Sequence, residues 1–398
     1  MQIDPSIRQN FFTNAHPLGC EQTIKSYIEE AKSQESFSGP KNVLIIGGSS
    51  GYGLASRISL SFGAHANTLN ISYESIPRGK RTGSAGYWNN VFFQHHTKSL
   101  GTIHHDIIGD AFSKGIKQDT IQSIKENYGK IDLVIYSLAA GARKNETTNE
   151  LIRSTIKPIG KTVSGMTIDI ATKQFKEITL GPATAQEIDD TVYVMGGSDW
   201  SDWIHVLDDA GCLSNGAKTI AYTYVGAEST KAIYREGTLG KAKEDLEQHA
   251  RDLHDFLQTQ LNGEALISSS KAVISKASVF IPKMPLYVSA LFDVMKTHNV
   301  HESILEHKYR LFSDMVYGQK RLKDAKARLR MDHYELNDKI QYQTQAKMTE
   351  LIAQKAIHSP SITHFLTKFY QINGFKYPQI DYHKAIDIPL LKRSYPLI

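Results

Sequence analysis

Short apolar runs alternate with segments of helical periodicity over most of the chain. Residues 21–33 repeat apolar positions with a helical period and carry charges on the opposite face. The runs that predict buried strands are 42–48, 66–73, 131–139, 218–224 and 271–278. The segments that predict helices between them are 54–62, 183–210 and 241–260. Strands that alternate with helices predict an α/β fold with a Rossmann-like, doubly wound parallel sheet.

The pattern changes near residue 300, where charged positions become frequent. Residues 303–316 and the highly charged stretch 321–354 predict exposed helices. Acidic residues are interleaved with basic ones throughout this region, which argues against a nucleic-acid site. We therefore expect a single large body, with a Rossmann-like catalytic core and its insertions over residues 1–300 and a mainly helical C-terminal region over 301–398 packed on it.

The composition is typical of a globular enzyme. Of 398 residues, 40% are hydrophobic and 22% are charged, and the net charge of +5 is mild for this length. Cys20 and Cys212 alone cannot build a disulfide framework, and neither a signal peptide nor an apolar run of about eighteen residues is present. These features predict a cytoplasmic protein without a membrane span. The adjacent histidine pairs lack the spacing of a helical metal site, so no metal is expected.

A glycine-rich turn follows the first predicted strand and opens a helix. Its residues are Gly47, Gly48, Ser49, Ser50, Gly51, Tyr52 and Gly53, with the spacing G-x-x-x-G-x-G. Glycine permits a tight turn and lets a pyrophosphate approach the backbone, while the helix N-terminus points free N–H groups at the anion. The turn therefore predicts a dinucleotide site.

The second predicted strand ends at Tyr73 and Glu74, about twenty residues after the turn. A carboxylate at this place accepts hydrogen bonds from the adenosine ribose and repels a 2′-phosphate, which favours NADH over NADPH. An alternative stays open, because Arg78, Lys80 and Arg81 follow closely. They could hold that phosphate, or the phosphates of a carrier-bound substrate.

Two further strand ends should reach the same edge of the sheet. Asp110 and Ala111 follow an apolar stretch and could meet the adenine ring, while Leu138 and Ala139 end the strand at 131–139. Ligands of open α/β sheets bind beyond the carboxyl ends of the strands. We expect these four residues to line the cofactor cleft.

Several motifs together resemble those of the FabV-type trans-2-enoyl-ACP/CoA reductases, which are large relatives of the short-chain dehydrogenases. They are AHPLGC (15–20), VLIIGGSSGYGLASRI (43–58), VIYSLA (134–139), MGGSDWSDWI (195–204), AYTYVGAE (221–228), YREGTLGKAK (234–243) and IPKMPLYVSALF (281–292). The resemblance implies NADH-dependent reduction of the C2–C3 double bond of an enoyl-ACP or enoyl-CoA in fatty-acid synthesis. It also implies a monomer, with acyl-carrier protein as a candidate partner. The chain departs from the family pattern at AGAR (140–143) and at ISKAS (274–278).

The resemblance also implies roles for individual residues. Tyr234 matches the proton donor, Lys243 the lysine that contacts the cofactor, and Tyr224 the tyrosine that contacts the substrate. The segment that the resemblance puts beside the nicotinamide is Val273, Ile274 and Ser275. A lysine ammonium near Tyr234 favours the phenolate, so we expect it to lower the pKa of the tyrosine and make it a better acid.

The spacing of Tyr234 and Lys243 raises a difficulty, since residues nine apart lie on opposite sides of a continuous helix. Spacing alone favours Lys241 as the partner of the tyrosine. Gly237 and Gly240 are poor helix residues, however, and Thr238 is a good N-cap. We therefore predict that the helix begins near Thr238, that Tyr234 lies on the preceding turn, and that Tyr234 and Lys243 both face the nicotinamide.

Two other functions stay open at this point. A carbonyl-reducing short-chain dehydrogenase would need the spacing Tyr-x3-Lys, but Thr238 occupies the fourth position after Tyr234. A non-catalytic NAD-binding regulator would keep the glycine turn and lose the chemistry. Substitution of Tyr234 separates that regulator from an enzyme.

Overall fold

A parallel sheet lies at the centre of the molecule. The structure is a computed structural model, and it describes residues 1–8 and 11–397. The strands are β1 (Ile7–Arg8), β2 (Phe11–Phe12), β3 (Asn42–Ile46), β4 (Asn67–Ser72), β5 (His104–Ile108), β6 (Ile131–Tyr136), β7 (Ala142–Lys144), β8 (Leu151–Arg153), β9 (Val163–Asp169), β10 (Gln174–Leu180), β11 (Leu213–Thr223), β12 (Glu264–Ser269) and β13 (Leu329–Arg330). The helices are α1 (Pro17–Lys32), α2 (Gly51–Gly63), α3 (Ala85–Thr97), α4 (Lys114–Asn127), α5 (Ala185–Met195), α6 (Ser198–Asp209), α7 (Glu228–Lys231), α8 (Thr238–Leu261), α9 (Met284–Thr297), α10 (Ile304–Arg310), α11 (Asp338–Ala353), α12 (Pro360–Gln371) and α13 (Ile388–Ser394).

The central sheet has seven strands in the order β5-β4-β3-β6-β11-β12-β13, and all of them are parallel. β3 pairs with β4 on one side and with β6 on the other. The chain order therefore reverses between β3 and β6, which makes this the switch point where open α/β sheets bind ligands beyond their strand ends. The predicted Rossmann-like parallel sheet is confirmed.

Alternate residues of the central strands pack on opposite faces of the sheet. Leu44 shares a core with Trp203 of α6 on one face, and Val43 shares a core with Phe312 on the other. This alternation follows from the two-residue period of a strand. Because helices cover both faces, the strands need continuous apolar runs, and those runs were the signal that predicted them.

The segment 271–278 is not a strand, so this prediction was wrong. β12 ends at Ser269, and the chain beyond it is irregular as far as the short 3-10 turn Ser278–Phe280. The N–H of Lys271 donates to His307, and the N–H of Ala272 donates to the Glu335 carboxylate. Side chains rather than a neighbouring strand thus satisfy this part of the backbone.

The charged stretch 321–354 is not the exposed helix that its composition predicted. Residues 321–337 form turns and β13, and only Asp338–Ala353 are helical. Asp332 and Glu335 are fully buried in these turns. Residues 303–316 are helical as predicted, but they bury one side in the core instead of lying exposed. The antiparallel hairpins β7–β8 and β9–β10 were not predicted.

Cys20 and Cys212 are buried free thiols. Within residues 1–8 and 11–397, no helix is long and apolar enough to cross a membrane. Over the same residues, no group of His, Cys, Asp and Glu side chains is arranged to hold a metal ion.

Candidate active site

The glycine turn joins β3 to α2 and contains two very close backbone contacts. A Cβ on Gly47, whose φ is 97°, would lie 2.4 Å from the carbonyl oxygen of Ser137. A Cβ on Gly53 would lie 2.0 Å from the carbonyl oxygen of Gly47. Asn70 fixes the turn by accepting the N–H of Gly48 at 2.7 Å. The first N–H groups of α2 have no partner inside the helix, so the turn can receive a phosphate.

Two serines hold Glu74 next to the glycine turn. Ser49 of the turn donates to one carboxylate oxygen at 2.5 Å, and Ser84 donates to the other. Gly86 leaves room for the carboxylate, since a Cβ there would lie 2.0 Å from its oxygen. Tyr73 is 83% exposed beside it. An oriented carboxylate therefore stands at the end of β4, where Rossmann-like sheets recognise a ribose.

The basic residues that offered an alternative lie on an exposed turn. Arg78 and Arg81 pair through their backbones, and Lys80 lies between them with its side chain in solvent. Glu74, by contrast, is bonded directly to the glycine turn through Ser49. The charged residue that is bonded to the glycine turn is thus an acidic one.

The remaining predicted strand ends lie at the same edge of the sheet. Asp110 and Ala111 follow β5, and Leu138 and Ala139 follow β6. The Asp110 carboxylate accepts an N–H of its own loop at 3.0 Å, and Ala111 is buried. Leu138 packs against Gly47, with its Cδ2 3.2 Å from where a Cβ would stand, while Ala139 is exposed.

The irregular segment after β12 reaches the glycine turn. The Tyr52 hydroxyl donates to the carbonyl oxygen of Lys271. The Cβ of Ser275 lies 4.0 Å from the position that a Cβ would take on Gly51. Val273 is buried, and Ile274 is half-buried. This segment therefore borders the glycine turn without being part of the sheet.

Tyr224 and Tyr234 contact each other edge to face. Their ring centroids are 5.0 Å apart at an interplanar angle of 82°, and both side chains are buried. The Tyr224 hydroxyl donates to Oε1 of Glu335 at 2.8 Å. Among the described residues, the Tyr234 hydroxyl has no hydrogen-bond partner. One hydroxyl is thus committed to the protein, and the other is available to a ligand.

Burial raises the pKa of Tyr234, contrary to the expectation that a lysine would lower it. The loss of solvation disfavours the phenolate, and the charge of Glu247 adds to the rise. Arg235 opposes it, but Glu247 compensates the Arg235 charge through hydrogen bonds of 2.9 and 3.0 Å. Tyr234 is consequently a neutral O–H donor at neutral pH.

Lys243 points into the protein, whereas Lys241 points to solvent. Lys243 is 9% exposed, and its Nζ lies 3.5 Å from the carbonyl oxygen of Tyr222. Burial lowers the pKa of Lys243 to about 8, although the charge of Glu247 raises it. The Lys241 side chain is 54% exposed and pairs with Glu244 at 2.9 Å. The lysine selected by the family resemblance is therefore the buried one.

Tyr234 precedes α8, as predicted. Its carbonyl oxygen accepts the N–H of Gly240 at 2.9 Å, and a Cβ on Gly240 would lie 1.8 Å from a backbone oxygen of this turn. Thr238 is the first residue of the helix but not its N-cap, so that prediction was wrong. Gly237 occupies the N-cap position. The Thr238 hydroxyl is used in tertiary contacts instead: it donates to the carbonyl oxygen of Thr155 at 2.5 Å and accepts the N–H of Lys157 at 3.3 Å.

Comparison with known proteins agrees with this geometry. Residues 81–317 match the sequence model of the trans-2-enoyl-CoA reductase catalytic region. The chain belongs to the trans-2-enoyl-CoA reductase family. Residues 2–79 match the NAD(P)H binding domain of trans-2-enoyl-CoA reductase, and residues 323–386 match a model described as an enoyl reductase FAD binding domain.

Similar proteins span the whole chain. Enoyl-acyl-carrier-protein reductase (NADH) 2 of Photobacterium profundum is 42% identical over 98% of this chain and 99% of its own. Trans-2-enoyl-CoA reductase (NADH) of Clostridium beijerinckii is 41% identical over 100% of both chains. The crystal structure of Clostridium acetobutylicum trans-2-enoyl-CoA reductase in complex with NADH has a TM-score of 0.94 at 38% identity and covers 100% of both chains. The fold is therefore that of a family member solved with NADH.

The segment matched by the FAD description does not fit a flavin dinucleotide. Gly374 is the only glycine in residues 323–386, and a Cβ on it would lie 2.3 Å from the carbonyl oxygen of His16. α12 packs Phe365 and Phe369 into the core. Because its one glycine packs against another part of the backbone, this segment offers no glycine turn that a pyrophosphate could approach.

Two buried charged residues near the site were not predicted. Lys271 is 2% exposed just beyond the end of β12, and burial lowers its pKa to about 8. Glu335 is 0% exposed and accepts the Tyr224 hydroxyl. A glutamate within a charged stretch carries no local signal that distinguishes it from solvated neighbours.

Proposed function

We propose that this protein uses NADH to reduce the trans-2 double bond of enoyl thioesters, carried on acyl-carrier protein or CoA, in fatty-acid synthesis. The observation that carries the proposal is the buried, neutral Tyr234 hydroxyl, which has no hydrogen-bond partner among the described residues. The carboxylate held beside the glycine turn and the NADH-dependent relatives support the choice of cofactor.

Tyr234 is the proton donor in this proposal. Bound NADH supplies the hydride that adds to C3 of the enoyl group. Negative charge then develops on the thioester oxygen, and the preorganised Tyr234 O–H aimed at that oxygen stabilises it. The proton that Tyr234 gives to the enolate ends on C2, which completes the saturated acyl thioester, and the tyrosine regains a proton from solvent. Because burial keeps Tyr234 protonated, the donor is present throughout the physiological pH range. Tyr224, whose ring packs against Tyr234, is assigned to the substrate.

The cofactor contacts follow from the edge of the sheet. Lys243 would hold the nicotinamide ribose with its ammonium, Glu74 the adenosine ribose, and the turn Gly47–Gly51 with α2 the pyrophosphate. The further residues assigned to NADH are Tyr52, Tyr73, Asp110, Ala111, Leu138, Ala139, Val273, Ile274 and Ser275. The negative charge of Glu74 next to the turn favours NADH over NADPH.

We also propose that residues 1–300 form the catalytic core and residues 301–398 a helical region packed on it, in a cytoplasmic monomer. The pairing of β13 with β12 supports one body, since it brings residues 329–330 into the central sheet. A monomer would elute near its mass of 44.5 kDa in size-exclusion chromatography with light scattering.

The proposal is tested by following the absorbance of reduced nicotinamide with crotonyl-CoA. We expect oxidation of NADH in preference to NADPH, with 2-enoyl groups on either carrier as substrates. A protein that oxidises neither cofactor with enoyl thioesters of several chain lengths is not this reductase.

The two rival functions give different results in the same assay. A carbonyl-reducing dehydrogenase would oxidise NADH with a 3-ketoacyl thioester and not with crotonyl-CoA. A non-catalytic NAD-binding protein would bind NADH in a fluorescence titration but would oxidise it with neither substrate. Its Tyr234→Phe variant would bind NADH as well as the wild type does.

A further inference from the structure

Glu335 connects parts of the proposed site that are distant in sequence. It lies in the turns after β13, and its carboxylate is fully buried. Oε1 accepts the hydroxyls of Tyr224 and Tyr287, each at 2.8 Å, and Oε2 accepts the N–H of Ala272. Ala272 immediately precedes Val273 in the segment beside the glycine turn. One carboxylate therefore holds the assigned substrate tyrosine and the cofactor segment together.

The hydrogen-bond arrangement fits an ionised carboxylate. The N–H of Ala272 can only donate, and the Tyr287 oxygen already accepts from Gln341 Nε2 at 3.0 Å, so its own proton goes to Glu335. Burial raises the pKa of Glu335 and Asp332 adds to the rise, while the three donors oppose it. None of the three partners needs to accept a proton from the carboxyl group.

The arrangement also distinguishes the two tyrosines. The single proton of Tyr224 is committed to Glu335, so it is not aimed at a ligand. Tyr234, packed edge to face on the Tyr224 ring, keeps a hydroxyl that has no partner within the described residues. The position of the Tyr224 ring limits where the Tyr234 ring can stand, and Glu335 sets the position of Tyr224.

We propose that Glu335 is a positioning residue for the reductase reaction, fixing Tyr224 and the Ala272 backbone relative to each other so that substrate and nicotinamide meet the Tyr234 hydroxyl in one geometry. The inference rests on the proposed function and deepens it. It gives the turns after β13 a part in catalysis.

The variant Glu335→Gln tests the inference at nearly constant volume. The amide can present its oxygen to the tyrosines or to Ala272, but not to both, so either Ala272 or the two tyrosines lose their acceptor. We expect kcat with crotonyl-CoA, per NADH-binding site, to fall by about 10²-fold, the scale of a misplacement of about 1 Å. KM for crotonyl-CoA should change little, because contacts to the carrier are untouched.

Asp332→Asn is the matched control. Asp332 is also a fully buried carboxylate of the same turns, but it binds Ser269 and Arg330, each at 2.7 Å, rather than the tyrosines. We expect it to lower the melting temperature and to keep kcat per NADH-binding site near wild type. An equal loss of kcat in both variants would mean that Glu335 acts only on the fold, and would overturn the inference.

A mutant cycle in the Tyr224→Phe/Tyr287→Phe background completes the test. Without either tyrosine hydroxyl, the amide oxygen introduced by Glu335→Gln is free to serve Ala272, so adding Glu335→Gln to that background should lower kcat by no more than about 3-fold. Equal losses in both backgrounds would overturn the inference. If Glu335→Gln does not fold, Glu335→Asp replaces it in the test. The shorter side chain keeps the negative charge but moves the carboxylate oxygens away from their three donors. A wild-type kcat in Glu335→Asp would refute the positioning role.

The outcomes also separate this inference from the proposed function. An inactive wild type with all enoyl thioesters would overturn both. An active wild type whose kcat is unaffected by Glu335→Gln would overturn the inference alone.

Discussion

Removing the hydroxyl of Tyr234 should impair catalysis and leave the fold intact. Tyr234 and Tyr224 are both buried, and each supports the ring of the other. They differ in that the Tyr224 hydroxyl donates to Glu335 and the Tyr234 hydroxyl has no partner in the described part of the chain. The two Tyr→Phe variants are therefore a matched pair that separates a free hydroxyl from a bonded one.

The structure sets the expected magnitudes. Tyr234→Phe breaks no hydrogen bond and keeps the ring contact, so its free energy of unfolding should stay within a few tenths of a kcal/mol of wild type or rise slightly. The loss of a donor to a developing oxyanion should lower kcat by about 10²–10³-fold, equivalent to about 2.7–4 kcal/mol. Tyr224→Phe leaves a buried carboxylate with one donor fewer and should destabilise the fold by about 1–3 kcal/mol.

Two measurements on the same preparations decide the matter. Urea unfolding gives the free energies of unfolding, and NADH oxidation with crotonyl-CoA gives kcat and KM. A wild-type kcat in Tyr234→Phe would refute its assignment as proton donor. Destabilisation of Tyr234→Phe equal to that of Tyr224→Phe would show that the Tyr234 hydroxyl is bonded within the protein, and the reasoning from its free state would fail.

Four further outcomes are expected, three for the proposed cofactor site and one for the stability of the fold. Glu74→Gln should narrow the preference for NADH over NADPH, measured as the ratio of the two kcat/KM values, because a neutral amide no longer repels a 2′-phosphate. Lys243→Met should weaken NADH binding in a fluorescence titration, whereas Lys241→Met should not, since the Lys241 side chain is 54% exposed. Burial lowers the pKa of Lys243 to about 8, so NADH binding to wild type should weaken as the pH rises through that value, and Lys243→Met should lack this dependence. The same shift acts on stability with the opposite sign: between pH 8 and 10.5 the unfolded chain binds more protons at this lysine, so the free energy of unfolding increases with rising pH.

Local sequence signals predicted the parts of the candidate site that depend on backbone geometry. Apolar runs located β3, β4, β6 and β11, because strands buried on both faces need uninterrupted apolar residues. The glycine turn was recognisable from its glycine spacing, because the fold has no room for a larger side chain at Gly47 or Gly53. The start of α8 was predicted from two glycines, but the capping role of Thr238 was not correct, because its hydroxyl accepts the N–H of Lys157 and donates to Thr155.

The burial of Glu335 and its hydrogen bonds could not be predicted, because no residue near it in the sequence determines them. Its three donors come from residues 111, 63 and 48 positions away, and each belongs to a different part of the fold. Without these three donors, a buried glutamate would destabilise the fold, because its charge would lack solvation. With them, the carboxylate is a hydrogen-bond acceptor in a fixed position. Charge content alone therefore gave an exposed helix where the structure has a buried hydrogen-bond centre. If the Tyr224 ring and the Ala272 backbone must keep one geometry during the reaction, the C-terminal region is needed for catalysis as well as for stability. A chain that ends before β13 would lack both this strand of the central sheet and the Glu335 carboxylate that accepts the three hydrogen bonds.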